Sequence, residues 1–449
     1  MIALALTVLT APGQTVAPRC TAERTTYQGW NAFKLANGLV TLFITPDIGG
    51  RVIQFQLGDH PYFFVNAALA GKVFPPAANG GSQGGWKNYG GDKLWPAPQG
   101  WDSDEEWPGP PDPVLDGGRY ASALTAQATD HVAVALISPA DARTGLALGR
   151  TIHLYSGGTQ VHLDCTMTNI SHRPVRWAIW DVTQQDAAAP SAPAQANHDL
   201  WAYCPINAHS VHRNGFSTLF GQVNHPAFQL DRPNDLLRVH YVDRVGKVGL
   251  DSDGGWLAVV NGQSDHCFVA RFAFVPQVAY PDDASVEFWL NGAGEYILNG
   301  SAITNAADPT QTPYLMETEI LSPLVTLQPG EEYHFQIDWF ATRCPKPVIE
   351  VTSAGAISQR LTCAVHQAQA RLAGVFGVFF SGHAEAAFRG RDGRLLARAN
   401  LGAVQPGQVF RLNRELPLPQ DTTRVSVRVV DDSGEDRGPL GNALVPAAD

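Results

Sequence analysis

The chain has 449 residues, 44% hydrophobic and 16% charged, with a net charge of −11. That length accommodates two or more domains, the composition is that of a globular protein, and the negative balance weighs against nucleic acid and anionic membrane as partners. Its 43 glycines and 32 prolines, set between strand-like runs, predict an all-β architecture.

At the N-terminus a short apolar run, Ile2–Leu9, precedes small residues. This predicts a secretory signal over residues 1–17, cleaved near Ala17, and export to the periplasm or beyond. No later apolar run approaches twenty residues, so no membrane span is expected. The 6 cysteines show no CxxC spacing. Export permits disulfides, and Cys344 with Cys363 is the first pair expected. Cys165 shares a strand face with Val161, Leu163 and Met167 and reads as a buried thiol.

Residues 37–60 read as a hairpin. Val40, Leu42 and Ile44 alternate, a Pro-Asp-Ile-Gly-Gly turn follows, and Arg51, Ile53, Phe55 and Leu57 alternate again. Arg51 lies on an apolar face and needs a carboxylate partner or a ligand oxygen. Next comes GGSQGGWKNYGGDKLWPAPQGWDSDEEWPGPPDPVLDGGRY, residues 80–120, with tryptophans at 86, 95, 101 and 107. No strand or helix period survives its glycine and proline content, so it reads as a long loop. Disordered segments are poor in aromatics, and long ordered loops are commonly functional. Indoles beside acids, amides and a lysine suit a sugar, whose faces are apolar and whose edges carry hydroxyls. The competing reading is that the indoles pin the loop to its scaffold. The acidic run 102–106 lacks the glycine and terminal glutamate of an EF-hand loop.

Further strands are predicted over 131–138, 146–155, 160–169, 176–184, 256–260, 286–290, 314–320 and 333–339. Residues 187–197 read as a loop, and 200–230 as irregular. In 176–184, Arg176, Trp180 and Gln184 share one face, with Trp177, Asp181 and Thr183 on the other. Trp180 beside Gln184 fits either a core position or a stacking platform with an amide for hydroxyls. In 314–320, Glu317 and Glu319 share a face, roughly 6.5–7 Å apart at Cα. Two carboxylates so placed are either a solvated face or a site in which one holds a raised pKa and works as acid or base. His209 and His212 have zinc-like spacing without a third ligand, and no Walker, dinucleotide or GxSxG motif is present. No metal and no cofactor are therefore expected. Beyond 345–347, short strands and turns fit a small β-sandwich, like an immunoglobulin or fibronectin module, over 346–445.

Taken together, GLVTLFITPDIGGRV (38–52), YGGDKLWPAPQ (89–99), LMETE (315–319) and LQPGEEY (327–333) resemble the galactose mutarotase-like (aldose 1-epimerase-like) superfamily. The likeness is nearest to an uncharacterised branch carrying GGDKLWP. It implies a large antiparallel β-supersandwich over 25–342 that acts on or binds sugars. Glu317 matches the epimerases' glutamate base, which removes the anomeric hydroxyl proton while an acid protonates the ring oxygen. The position of the epimerases' acidic histidine falls on Trp180, and that of the phosphate-binding arginine on Tyr89. The expected catalytic set is Glu317, Glu319, Asp181 and Lys93, with Arg51, Asp92, Trp95, Gln99, Trp101, Trp180 and Gln184 binding a sugar or glycan. The alternatives are a carbohydrate-binding protein without catalysis and an envelope protein with a relic sugar site.

Overall fold

The computed structural model describes residues 19–75, 78, 85–100, 107–108, 114–298 and 301–446. The predicted signal and Trp101 lie outside these residues. The all-β expectation is met by two large antiparallel sheets packed face to face. Among the described residues the longer sheet runs, in spatial order, Thr21–Tyr27, Trp30–Ala36, Val40–Thr45, Arg51–Leu57, Asp92–Ala97, Val175–Asp186, Leu315–Leu321, Val286–Asn291, Gly246–Leu250 and Ser217–Phe220. The facing sheet includes Leu146–Tyr155, Val161–Asn169, Glu332–Arg343, His266–Phe272 and Trp256–Asn261. Alternating apolar side chains such as Leu42, Phe55, Leu163 and Trp339 fill the space between them. Among the described residues no helix is long and apolar enough to cross a membrane.

Several loop readings need correction. Asp92–Ala97 is a central strand, paired with Val175–Asp186 from Thr183↔Asp92 to Ala178↔Ala97. All six of its residues are buried, so alternation, the sequence signal for a strand, is erased. Gly90 and Gly91 feed it with φ of 95° and 73°. A Cβ on Gly90 would stand 2.2 Å from the Phe64 carbonyl oxygen, which is why the approach to the strand requires glycine. The segment read as irregular supplies Leu200–Pro205 and Ser217–Phe220, and residues 187–197 contain the small pair Ala188–Ala189 and Ala192–Ala196.

Strands from Glu350–Val351 to Asp436–Leu444 form two four-stranded sheets. They pack on the outer side of the second large sheet, where Tyr203, Val260, Val269 and Phe340 meet Ile357, Val378 and Phe379. Cys344 and Cys363 are both free, so the expected pair is not formed; Cys344 instead donates to the Ala356 carbonyl at 3.5 Å. Cys165 is buried in the core.

Candidate functional site

Strand register determines which side chains meet on the outer face of the longer sheet. Lys93 pairs with Val182 and Trp95 with Trp180. Gln184 pairs with Glu317 and Val182 with Glu319. On the far side, Trp289 pairs with Glu317 and Glu287 with Glu319. Lys247 pairs with Trp289, and Phe220 pairs with Lys247. Because side chains alternate across a sheet, all of these project to one face.

On that face the charges interlock. Lys93 Nζ lies 3.0 Å from Glu317 Oε1, and Gln184 Nε2 donates to the same oxygen at 2.6 Å. Glu317 Oε2 has no protein partner among the described residues, and the side chain is 13% exposed. Burial raises the Glu317 pKa, but the Lys93 charge and the Gln184 and Lys93 hydrogen bonds outweigh it and leave the group below the ordinary value. Glu319 is 1% exposed. Its Oε2 accepts from Trp180 Nε1 at 2.9 Å and faces Lys247 Nζ at 3.0 Å. Lys247 also lies 2.5 Å from Glu287 Oε2. Burial raises Glu319 and pushes Glu287 well up, with Lys247 opposing both. The two indoles sit between the two lysines: Lys93 over Trp95 at 4.5 Å, Trp95 against Trp180 at 5.4 Å, and Lys247 over Trp180 at 4.6 Å. Among the described residues, Gln184 Oε1 and Glu319 Oε1 are buried without a hydrogen-bond partner.

Lys93, Trp95, Trp180, Gln184, Glu317 and Glu319 therefore come together. The others do not join them. Asp92 and Asp181 project to the opposite face, into the space between the sheets. There Asp92 forms an ion pair with Arg150 and accepts from Thr183 at 3.0 Å, while Asp181 lies 4.0 Å from Arg150. Burial and the neighbouring Asp92 charge push Asp181 well up, with Arg150 opposing them. Alternation along Val175–Asp186 forces this result, because Asp181 and Trp180 are adjacent. Arg51 is fully buried and spends its guanidinium on Asp116 Oδ1, at 2.5 Å, and on the Ile48 and Gly90 carbonyls. Asp116 also accepts from Trp95 Nε1 at 2.9 Å and Trp86 Nε1 at 2.8 Å. Arg51 thus anchors the acid that holds two tryptophans. Trp95 and Trp180 are each 4% exposed, too buried to stack a ligand. Gln99 is exposed on the short strand Gln99–Gly100, apart from the Glu317 cluster among the described residues.

A different aromatic wall stands beside Glu317. Trp289, half-buried, meets Tyr296 at 5.3 Å and Phe220 at 6.0 Å, and Tyr296 closes on Phe220 at 6.0 Å. Sequence reasoning missed these rings together with Lys247, Glu287 and Asp116. One signal was present: within VEFWLN (286–291) a glutamate and a tryptophan share the face opposite Val286, Phe288 and Leu290. Among the described residues, no group of three or more histidine, cysteine or acidic side chains is arranged to hold a metal.

A family profile described as "Domain of unknown function (DUF4380)" matches residues 31–342. The chain belongs to the DUF4380 family. The match takes in every strand of the Glu317 cluster and both large sheets apart from the edge strand Thr21–Tyr27. No curated protein matches the chain. Solved structures that resemble it include a galactose mutarotase-like protein from Lactobacillus casei, at 10% identity and a TM-score of 0.42, covering 69% of this chain and 99% of that one. A galactose mutarotase-like protein from Clostridium acetobutylicum has 10% identity and a TM-score of 0.44, covering 72% and 99%. A TPR-domain containing protein from Parabacteroides distasonis has 12% identity and a TM-score of 0.45, covering 72% of this chain. The DUF4380 chain spans about half, 49%, of that protein's length.

Proposed function

We propose that the DUF4380 face built around Glu317 binds a neutral saccharide. The observation that carries this reading is the pairing of Glu317 with Trp289: an ionised carboxylate with an open oxygen stands one strand from a half-buried indole. Directly paired side chains are about 4.5–5.5 Å apart at Cβ, so one pyranose ring can stack on the indole while a hydroxyl donates to the carboxylate. Lys93 and Lys247 already face carboxylates, which disfavours a phosphate or uronate, either of which needs an unpaired cation.

Binding without chemistry is favoured over epimerisation. A base needs an acid partner. The position that the resemblance gives to the acid is Trp180, and Asp181 points away. The Glu317 carboxylate, held below its ordinary pKa, suits accepting hydroxyl protons in hydrogen bonds. Export across a membrane remains part of the proposal, and intact mass of the secreted protein tests it by showing cleavage near Ala17.

Calorimetry against neutral mono- and oligosaccharides, glucuronate and glucose 6-phosphate tests the saccharide reading. A hydrogen bond to a charged group contributes about 1.5–3 kcal/mol, so Glu317→Ala is expected to weaken neutral-sugar binding by roughly tenfold or more. Equal binding by the variant, or binding confined to the anionic sugars, would sink it. Polarimetry of hexose mutarotation decides on chemistry: a rate above the uncatalysed one that disappears in Glu317→Gln would restore the epimerase reading.

A further inference from the structure

A cleft remote from Glu317 lies where the outer side of the second large sheet meets the C-terminal sandwich. It encloses about 470 Å³ and is lined by Tyr155, Gln160, His162 and Asp338 from the sheet and by Phe380 and Arg437 from the sandwich. That volume falls within the range of small-ligand sites, about 300–1,000 Å³. The seam is fixed by backbone hydrogen bonds from Thr159 N to Phe379 O at 2.9 Å and from Ser381 N to Gly157 O at 3.0 Å. The cleft is therefore preformed.

Its lining combines a rigid ring with ordered polar groups. Tyr155, 38% exposed, stacks on His131 at 4.7 Å and 9°, and His131 bonds to His153 at 2.9 Å across the ring nitrogens. The tyrosine ring is thus held flat from behind. Gln160 Nε2 and His162 Nδ1 both meet Asp338 Oδ1, at 3.0 and 2.9 Å. The Asp338 hydrogen bond draws His162 toward its protonated form. The charged groups of the lining are Asp130, Asp338, His162 and Arg437, two acids and two bases. Arg437 is committed to Asp431 at 2.7 Å and Glu435 at 3.1 Å, and it lies 4.8 Å over the Phe380 ring. An anionic ligand would find each of these bases already facing an acid, and a cationic one would meet Arg437 and His162 as well as Asp130.

From this cleft we infer a second, independent site for a neutral saccharide, in which Tyr155 stacks a sugar face and Asp338 with Gln160 takes its hydroxyls. Flat aromatic surface beside hydrogen-bonding groups of balanced charge suits a polyhydroxylated neutral ligand.

The test is calorimetry on the full chain with maltotetraose, cellotetraose, laminaritetraose and mannotetraose. Wild type is expected to bind two equivalents of at least one of them. Tyr155→Ala and Asp338→Asn should each remove one equivalent or weaken it at least tenfold, while Tyr155→Phe, which keeps the ring, retains it. Circular dichroism and an unchanged melting temperature identify correctly folded variants, and Asp338→Asn serves if Tyr155→Ala misfolds. A single equivalent that survives Glu317→Ala and vanishes in Tyr155→Ala supports this site and sinks the sheet-face reading. A single equivalent that vanishes in Glu317→Ala and ignores both seam variants overturns the seam site alone. Absence of tetrasaccharide binding, or spermidine binding abolished by Asp338→Asn, overturns the inference as well.

Discussion

Lys247 shows how much one residue carries on the candidate face. Its ammonium stands within 2.5 Å of Glu287 and 3.0 Å of Glu319, both of them buried. Removing it leaves two neighbouring carboxylates without their cation, and breaking a buried pair costs about 3–5 kcal/mol. Lys247→Met is therefore expected to lower the unfolding free energy measured in urea by that amount, and adding Glu287→Gln should restore much of the loss. A Lys247→Met variant as stable as wild type would show that the acids accept protons at little cost. Asp186 provides the pH counterpart. Burial raises its pKa from 3.8 to about 6, against the opposing bond from the Ala188 N–H. A raised carboxylate binds its proton more tightly in the folded state, so stability falls as pH climbs from about 4 through about 6 and stays low above it. At 1.36 kcal/mol per unit the loss is about 3 kcal/mol. Asp186→Asn keeps an acceptor for Ala188 and cannot ionise. It should exceed wild type in stability at pH 8 by up to that amount and match it near pH 3.5, measured by urea unfolding at both values.

Among the elements, strands with one apolar face were legible, and Leu146–Tyr155 is one whose bounds coincide with the reading. The shared face of Glu317 and Glu319 was legible for the same reason, since alternation is a local property. Asp92–Ala97 was not. It is buried on both sides, and its charges find partners far along the chain, Lys93 at Glu317 and Asp92 at Arg150. Local pattern holds no record of such partners, so Asp, Lys and Pro read as loop. The same limit hid Lys247, which sits between glycines in GKVGL, and directed attention to Trp95 and Trp180 instead of Trp289. The tryptophan segment is tied down at Asp116, which takes Arg51 and the indole N–H groups of Trp86 and Trp95. Asp116→Ala should cost about 3–5 kcal/mol by leaving Arg51 buried and unpaired. Tryptophan emission should shift to the red as Trp86 and Trp95 lose their anchor. An unchanged spectrum would mean that packing alone holds the segment.

At the scale of the whole molecule, the C-terminal sandwich behaves as a cover. Paired positions Tyr203↔Ala258, Val260↔Cys267 and Val269↔Phe340 align one apolar face of the second sheet. This face is turned away from the core between the two large sheets, which Val259, Phe268 and Trp339 fill from the other side. On its outer side the face meets the sandwich, with Phe340 stacked on Phe379 at 4.2 Å. A sheet apolar on both faces cannot stand in water on one of them without presenting a large exposed patch, and such patches drive association. A chain ending at Pro345 is therefore expected to aggregate or to bind a hydrophobic dye strongly, whereas the full chain binds little. The continuous interface also predicts a single cooperative unfolding transition for the full chain by calorimetry, because the sandwich cannot leave without uncovering Phe340 and Val269. Two separated transitions, together with a soluble, dye-silent truncation, would show instead that the sandwich is a tethered module with no structural claim on the sheet beneath it.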